Sequence, residues 1–532
     1  MKEQTLRAIY GISRRADSVS SDTLLKSFVS VGNIGLRMSS PDHQVVFGRR
    51  GTGKTHSLKY LVAAPLKNSV PLYLDMRQVG SNRSIYTDYG LPPEARATTL
   101  LVDFLQALHD QLLDIVLRRE EDFDLSVFGP ILDGFGAASS TTRVVGRVRR
   151  AESRQAASSQ DSKIGAEAAL ASAPSLSASS SFARSQSKSV TFEQTEEGEI
   201  ERYVVFGDVA AKLKEFCQKA PSYRFVLLID EWSDIPTELQ PLLADLIRRT
   251  VVASGIILKI AAIEQKARFA DLMDTGGYIG IQLGADVMAD INLDDFMVFD
   301  LDESKSVEFF KELLFRHYVA VLQADGETPA ADTSDRFILE VFTEKRAFEE
   351  FVRAVEGVPR DAINLLVKAA SRSADTKVSV EAVRIAARDW YRSDKIAFVE
   401  QNPNVSALLN WIIDKVIRGR KARAFLFPSN RREPVIDILF DARLLHILKK
   451  NISSKEGGER YDVYKLDYGC YVDLLATADK PGALLFDESD RIAEAIEVPE
   501  DDYRAIRRAT LDIEEFWTSR STAAGTFGVA QR

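Results

Sequence analysis

Apolar positions along the chain follow two rhythms, and the way these alternate predicts an architecture before any single residue is considered. Over residues 1–43, Leu24, Leu25, Phe28 and Val29 recur at helical spacing, so this stretch reads as mostly helical. Five short apolar runs then read as strands: Gln44 to Phe47, Val70 to Leu74, Phe225 to Ile229, Gly255 to Ile263 and Phe296 to Phe299. The third is wholly apolar, as expected of a strand buried on both faces. Helical patterns separate the runs. They are expected at His56 to Leu61, Pro93 to Arg119, after an N-cap at Asp208, at Leu239 to Arg249 and at Lys266 to Met273. This order is that of an α/β protein built on a parallel five-stranded sheet.

After Asp302 the strand signals fade. Helices are expected at Ser306 to Leu322, Phe348 to Val355, Asp361 to Ala370 and Asn404 to Ile417. Pro434 to Leu448 reads as one or two more, followed by a polar turn over Asn451 to Glu459 and a strand-like stretch from Tyr461 to Val472. The acidic tail after Lys480 contains a helix-like segment, Asp502 to Trp517.

Between about Ala137 and Lys188 Ser and Ala dominate, and too few large apolar residues remain to offset the entropy of ordering. Residues 137–200 therefore read as a flexible insertion, with a β-hairpin expected where Val190 and Phe192 alternate and Ile200 to Phe206 returns. Its start is basic, with Arg143, Arg147, Arg149, Arg150 and Arg154. That charge fits a solvated linker or an arm that contacts nucleic acid.

Composition bounds the class. A chain of 532 residues with 45% apolar content is long enough for three or more domains at about 100–200 residues each. Its two cysteines, Cys217 and Cys470, have no metal-ligand spacing and favour a reducing compartment. Met1 to Thr5 lacks a signal-peptide apolar core and no run of about eighteen apolar residues occurs, so a cytoplasmic protein without membrane contact is expected. The net charge of −9 disfavours a surface that coats nucleic acid throughout, while leaving room for a local basic patch.

The chemistry concentrates at the end of the first strand. Gly48-Arg49-Arg50-Gly51-Thr52-Gly53-Lys54-Thr55 has the G-x-x-x-x-G-K-[ST] spacing between a strand and a helix, with His56 next. Glycines let successive N–H groups turn inward onto phosphates, and the positive end of the following helix reinforces them. Lys54 would reach the terminal phosphates of ATP and Thr55 would ligate Mg²⁺. The Phe225 strand ends in Asp230-Glu231, a Walker B pattern: Asp230 for the magnesium shell, Glu231 as general base toward water. Gly357-Val358-Pro359-Arg360 closes one helix and opens another, fixing Arg360 in a first turn.

In that order, Gly48 to Thr55, Phe225 to Glu231 and Gly357 to Arg360 resemble an AAA+ ATPase of the origin-recognition-complex (ORC/CDC6-like) initiator type. The resemblance implies a P-loop NTPase core over 44–300 after an N-terminal helical segment (1–43), a helical lid over 301–395, a winged-helix domain over 396–480 and a tail over 481–532. It makes Arg360 a sensor-2 arginine on the γ-phosphate. Sensor 1, commonly Asn, falls here on Glu264 and Gln265, and Arg248, Arg249 and Arg268 are equivalent arginine-finger choices for an ATP-dependent homo-oligomer. Basic residues cluster in the expected winged helix, including Arg418, Arg420, Lys421, Arg423, Arg431 and Arg432, a pattern suited to the phosphates of double-stranded DNA. The implied function is nucleotide-controlled docking on DNA. The rival is a STAND-like signalling or defence switch whose C-terminal domain binds protein.

Overall fold

Five short strands form one sheet whose C-terminal edge gathers polar residues, among them Asp75, Asp230, Glu264 and Asn292. The computed structural model describes residues 1–30, 33–81, 90–139, 142–152, 192–274, 276–296, 302–373, 376–419, 422–453, 459–475 and 510–527. The strands in chain order are β1 (Gln44–Phe47), β2 (Ser69–Asp75), β3 (Thr142–Glu152), β4 (Phe192–Arg202), β5 (Arg224–Asp230), β6 (Ile257–Ala262), β7 (Ala270–Leu272), β8 (Tyr278–Gly280) and β9 (Met288–Asn292). The central sheet has the order β2-β5-β6-β1-β9 and every pairing in it is parallel. One strand, β6, separates the Asp-Glu strand from the strand before the glycine loop.

Three expectations in this region are corrected. The fifth strand is β9, not Phe296 to Phe299; Phe296 closes a 3-10 turn, Leu293–Phe296, and 297–299 lie outside the described residues. Lys266 to Met273 is not a helix but a short turn followed by the antiparallel pair β7–β8, where Gly280 has its Cα hydrogens against the Phe269 carbonyl; a Cβ there would come within 2.0 Å of that oxygen. Asp208 lies inside the first turn of the helix Phe206–Lys219 and is not its N-cap.

The hairpin expected between Val190–Phe192 and Ile200–Phe206 is also corrected: Phe192–Arg202 is one strand, β4, whose antiparallel partner is β3 at the start of the insertion, with Arg143 in register with Glu201 and Arg147 with Glu197, and Phe206 opens a helix. Residues 153–191, with Arg154, lie outside the described residues.

One hydrophobic core lies around the sheet, where Leu100, Leu101, Phe104, Leu105, Leu108 and Leu112 of the helix Pro93–Arg118 face Leu72, Leu227 and Ile229. A second core is shared by parts far apart in sequence. It joins Ala8 and Ile9 of the N-terminal helix Glu3–Gly11, Phe310, Phe351 and Leu366 of the lid helices, Leu408 and Tyr464 of the C-terminal domain, and Phe516 of the helix Ile513–Phe527. Lid and C-terminal domain are thus packed as one body, with the tail helix as part of it.

The C-terminal domain consists of the helix Pro403–Ile412, continued by a wider π-type turn to Arg418, then β10 (Ala424–Pro428), the helix Pro434–Asp441, β11 (Leu445–Ser453) and β12 (Arg460–Leu466). The sheet is antiparallel in the order β10-β12-β11. The helix at Pro434 occurs as expected, but Leu445 to Leu448 form a strand: their alternate residues pair with Tyr464 and Leu466, so the short apolar run serves a two-residue period, and the strand expected over Tyr461 to Val472 ends at Leu466 and gives way to 3-10 turns. β11 also runs through Asn451 to Ser453, which the sequence assigned to a turn.

Candidate functional site

The loop after β1 is shaped by close approaches that only glycine permits. A Cβ on Gly48 would lie 2.5 Å from the Thr52 hydroxyl oxygen, and Gly51 has φ +91 with the Arg360 Cβ in its path at 2.9 Å. Gly53, at φ +100, turns the chain into the helix Lys54–Ala63. Thr52 Oγ1 donates to the Arg49 carbonyl at 2.9 Å, which pins the curl of the loop.

A cavity of about 310 Å³ opens over this loop. Gly51, Gly53, Lys54, Thr55 and His56 line it from one side, Glu231 and Asp234 from the end of β5, and Leu313, His317, Pro359 and Arg360 from the lid. Residues expected to meet around a phosphate chain, Lys54, Glu231 and Arg360, therefore share one wall-to-wall space although they lie in separate parts of the chain. Ala16, Val19 and Ile363 add an apolar flank able to take a flat ring.

Lys54 is buried, with Nζ donating to the Gly48 and Arg49 carbonyls at 2.8 and 3.0 Å. Burial lowers its pKa, and Glu231, Asp294 and Asp230 work in the opposite direction. Asp230 is fully buried; its two oxygens accept from the Tyr73 hydroxyl at 2.8 Å and from the Glu231 amide at 2.9 Å. A carboxylate has further lone pairs, so Asp230 retains capacity for a water in a magnesium shell, and Thr55 in the first helical turn offers the hydroxyl such an ion needs. Among the described residues no group of three or more His, Cys, Asp or Glu could hold a metal, so an ion here would depend on phosphate oxygens.

Glu231 adopts a left-handed backbone, φ +55, directly after the strand, a conformation uncommon outside glycine. Burial and the neighbouring Asp230 raise its pKa, countered by Lys54 and Arg77. Arg77, which sequence reasoning missed, follows the end of β2, pairs with Asp75 and lies 3.6 Å from the Glu231 carboxylate. The β2–β5 register places Asp75 beside Asp230, so only the folded sheet brings Arg77 near.

One expected contact points elsewhere, and a second, His56, lines the cavity while its ring is also held by the N-terminal segment. The Arg49 side chain, assigned to the nucleotide by the sequence, is buried and turned away from the cavity. Its Nε donates to Asp294 at 2.6 Å, Nη1 to the Leu445 carbonyl at 3.3 Å and to His446 Nδ1 at 2.6 Å, and its guanidinium lies 5.1 Å from the centre of the Phe440 ring. His56 Nε2 bonds the Leu24 carbonyl at 3.1 Å, so its ring braces the N-terminal helix Ser21–Ser27. Arg50 is half-exposed and pairs with Asp234.

The Arg49 contact opens a buried chain of charges. Arginine can only donate, so His446 accepts at Nδ1 and its Nε2–H donates to Asp467 at 3.1 Å; burial and Arg49 push its pKa down to about 3. Lys395 joins Asp467 to Asp361 of the lid helix Pro359–Arg372, and Arg443 reaches the same Asp361. Two further ion pairs tie the C-terminal domain to the domain of the parallel sheet, Lys450 with Glu264 and Lys266 with Asp441. Glu264 also accepts from Asn292 Nδ2 at 3.0 Å, so an asparagine does stand beside the expected sensor-1 position, on β9.

The basic residues assigned to DNA are dispersed. Arg418 pairs with Asp414, Arg431 with Glu514, Arg423 lies over Tyr471, and Arg432 is exposed; Arg420 and Lys421 lie outside the described residues. Arg248 and Arg249 both bind Asp245, and Arg268 binds Asp271. No helix among the described residues is long and apolar enough to cross a membrane.

The ORC-CDC6-like family profile matches residues 13–72, a segment that contains the glycine loop, β1 and most of β2. That segment is ORC-CDC6-like, and with the parallel sheet it points to an ATPase of AAA+ type. No curated protein matches the chain.

Proposed function

We propose that this chain binds and hydrolyses ATP with Mg²⁺ and uses its nucleotide state to control docking or assembly on DNA. The observation that carries this reading is the shared cavity: Lys54 from the loop, Glu231 from the strand end and Arg360 from the lid face one space. Lys54 and Arg360 would neutralise the phosphates, Glu231 would take a proton from the attacking water, and Thr55 and Asp230 would hold the ion. When bound, magnesium supplies charge neutralisation between the phosphates; orientation and proton removal belong to the protein. Because lid and C-terminal domain share a core, a change in how Arg360 meets the phosphates would move both together. Arg418, Arg420, Lys421, Arg423, Arg431 and Arg432 would then be presented to the DNA backbone, and subunits would associate in an ATP-dependent way, with Arg248, Arg249 or Arg268 reaching a neighbouring site.

One observation favours a second reading, a STAND-like signalling switch with a protein partner. The helix Pro434–Asp441 carries no basic residue, and it faces the ATPase core through Phe440 against Arg49 and Asp441 against Lys266. A helix so engaged is not offered to a DNA groove, and the domain acts as an internal latch. A gel-shift titration with duplex DNA at a stated salt concentration, with and without ATP, separates the two. Binding that strengthens with ATP and is weakened by charge reversal at Arg420, Lys421 and Arg423 supports DNA docking. Negligible affinity in both states leaves the protein-partner switch.

A further inference from the structure

Adjoining the nucleotide cavity, with Arg14, Arg15 and Arg360 in both linings, is a second cavity of about 480 Å³. The lid helix supplies Arg360, Asn364 and Lys368, which stand at successive i, i+4 positions and so form one stripe along a single face. Arg14 and Arg15 of the N-terminal segment close it from above, and Trp390 and Asp394 complete its floor. Four cationic side chains thus meet one carboxylate.

The cations lack internal neutralisation. Among the described residues no ion pair is formed by Arg14, Arg15, Arg360 or Lys368, whereas nearly every other arginine around the lid is matched, Arg353 and Arg384 by Glu350 and Arg372 by Asp389. The lone acid is itself engaged: Asp394 accepts from Ser393 Oγ at 2.8 Å, and Lys368 donates to that same hydroxyl at 3.2 Å. Lys368 Nζ also lies 5.6 Å from the centre of the Trp390 ring. Four like charges beside a single lining carboxylate repel one another on balance, and a compact polyanion relieves that repulsion while accepting several charge-assisted hydrogen bonds.

We infer that this cavity is a second anion site, which takes a compact phosphate group bearing two or more charges. The Asn364 amide, which keeps one N–H beyond the one it donates to the Arg360 carbonyl at 3.0 Å, and the Lys368 ammonium are its selective donors. Arg14, Arg15 and Arg360 line the nucleotide cavity as well, and Asn364, Lys368, Trp390 and Asp394 belong to this cavity alone, so a ligand here competes for, or fixes, the arginine that would read ATP. Its existence does not depend on hydrolysis; only the coupling through Arg360 rests on the ATP reading above. The phosphate can come from free oligophosphate or from a nucleotide whose base lies against the pocket rim.

The test titrates the full chain carrying Lys54→Ala, which removes the loop's phosphate ligand, with inorganic pyrophosphate by calorimetry. Saturable binding of one equivalent is expected, and it should weaken at least tenfold when Lys368→Glu is added. In the otherwise natural chain Lys368→Glu should leave ATP affinity within about twofold, since Lys368 does not line the nucleotide cavity; Lys368→Ala, with a smaller loss of pyrophosphate, guards against a folding defect. Loss of all pyrophosphate binding in Lys54→Ala, or binding indifferent to both Lys368 variants, overturns the second site. A parallel titration with AMP identifies the source: clearly tighter binding than pyrophosphate assigns a nucleotide, and equal or weaker binding assigns free oligophosphate. A natural chain that fails to bind ATP while Lys54→Ala still takes pyrophosphate would sink the proposed ATPase and leave this site standing.

Discussion

The backbone N–H of Arg360 donates to the Gly51 carbonyl at 3.1 Å, joining the first turn of the lid helix to the middle of the glycine loop. Since backbone makes this bond, the Arg360 guanidinium is left to face the cavity.

The two residues therefore predict different failures. Arg360→Ala keeps the Cβ and the amide, so thermal unfolding should change little, while the loss of a charge-assisted contact worth about 1.5–3 kcal/mol should weaken ATP at least about tenfold. Gly51→Ala instead forces a side chain into φ +91 and against the Arg360 Cβ, a strain of about 1–3 kcal/mol that should lower the melting temperature as well. Calorimetric titration and thermal denaturation of both variants check this. ATP affinity unaltered in Arg360→Ala would remove the arginine from the site.

Glu231 sets the expected acid limb of hydrolysis. A general base acts only when ionised, and burial beside Asp230 raises its pKa, so activity should fall with decreasing pH at a value above the ordinary glutamate range. Glu231→Gln should retain ATP binding, lose turnover by about 10²–10⁴-fold, and lose that limb from any residual rate. A steady-state pH profile of both proteins decides it; an unchanged limb in Glu231→Gln would assign the proton to another group.

The sheet and the ATP-like cavity were legible because each depends on short, local signals: a wholly apolar run before Asp230, glycines at fixed spacing before Lys54, and Gly357 and Pro359 flanking a helix boundary. What was not legible depends on contacts between distant segments. Arg49 reads as a phosphate ligand from its place in the loop, and only the packing of β11 against that loop turns it toward His446. Arg77 carries no motif and acquires meaning from the β2–β5 register. Leu445 to Leu448 were misread because four apolar residues fit a helix and a buried strand equally well, and pairing with β12 chose between them.

That packing makes neighbouring arginines unequal. Arg49→Met leaves Asp294 with the residue-49 backbone amide but without its buried cation, and the His446 Nδ1 acceptor without its donor; breaking a buried pair costs about 3–5 kcal/mol. Arg50→Met removes a half-exposed pair with Asp234, expected to matter by about 1 kcal/mol or less. Hydrogen exchange should show β11 opening faster in Arg49→Met alone. Equal protection in the two variants would argue against the Arg49–His446 contact as the link between loop and C-terminal domain.

Lys395 gives the last expectation its sign. Burial opposes ionisation of Asp467, but Lys395 and His446 together hold the carboxyl well below the usual range. A folded-state pKa below the unfolded value of about 3.9 means that the stabilisation is complete above that pH and declines as pH falls from there toward the lower folded value. Acid unfolding of the natural protein should therefore draw on this group only in strong acid. Lys395→Met leaves Asp361 and Asp467 buried without their shared cation; it should destabilise the fold by about 3–5 kcal/mol at neutral pH and move the onset of acid unfolding to higher pH. Circular dichroism followed from pH 7 to pH 2 on both proteins measures the shift, and coincident acid transitions would mean that Lys395 does not hold the Asp467 charge.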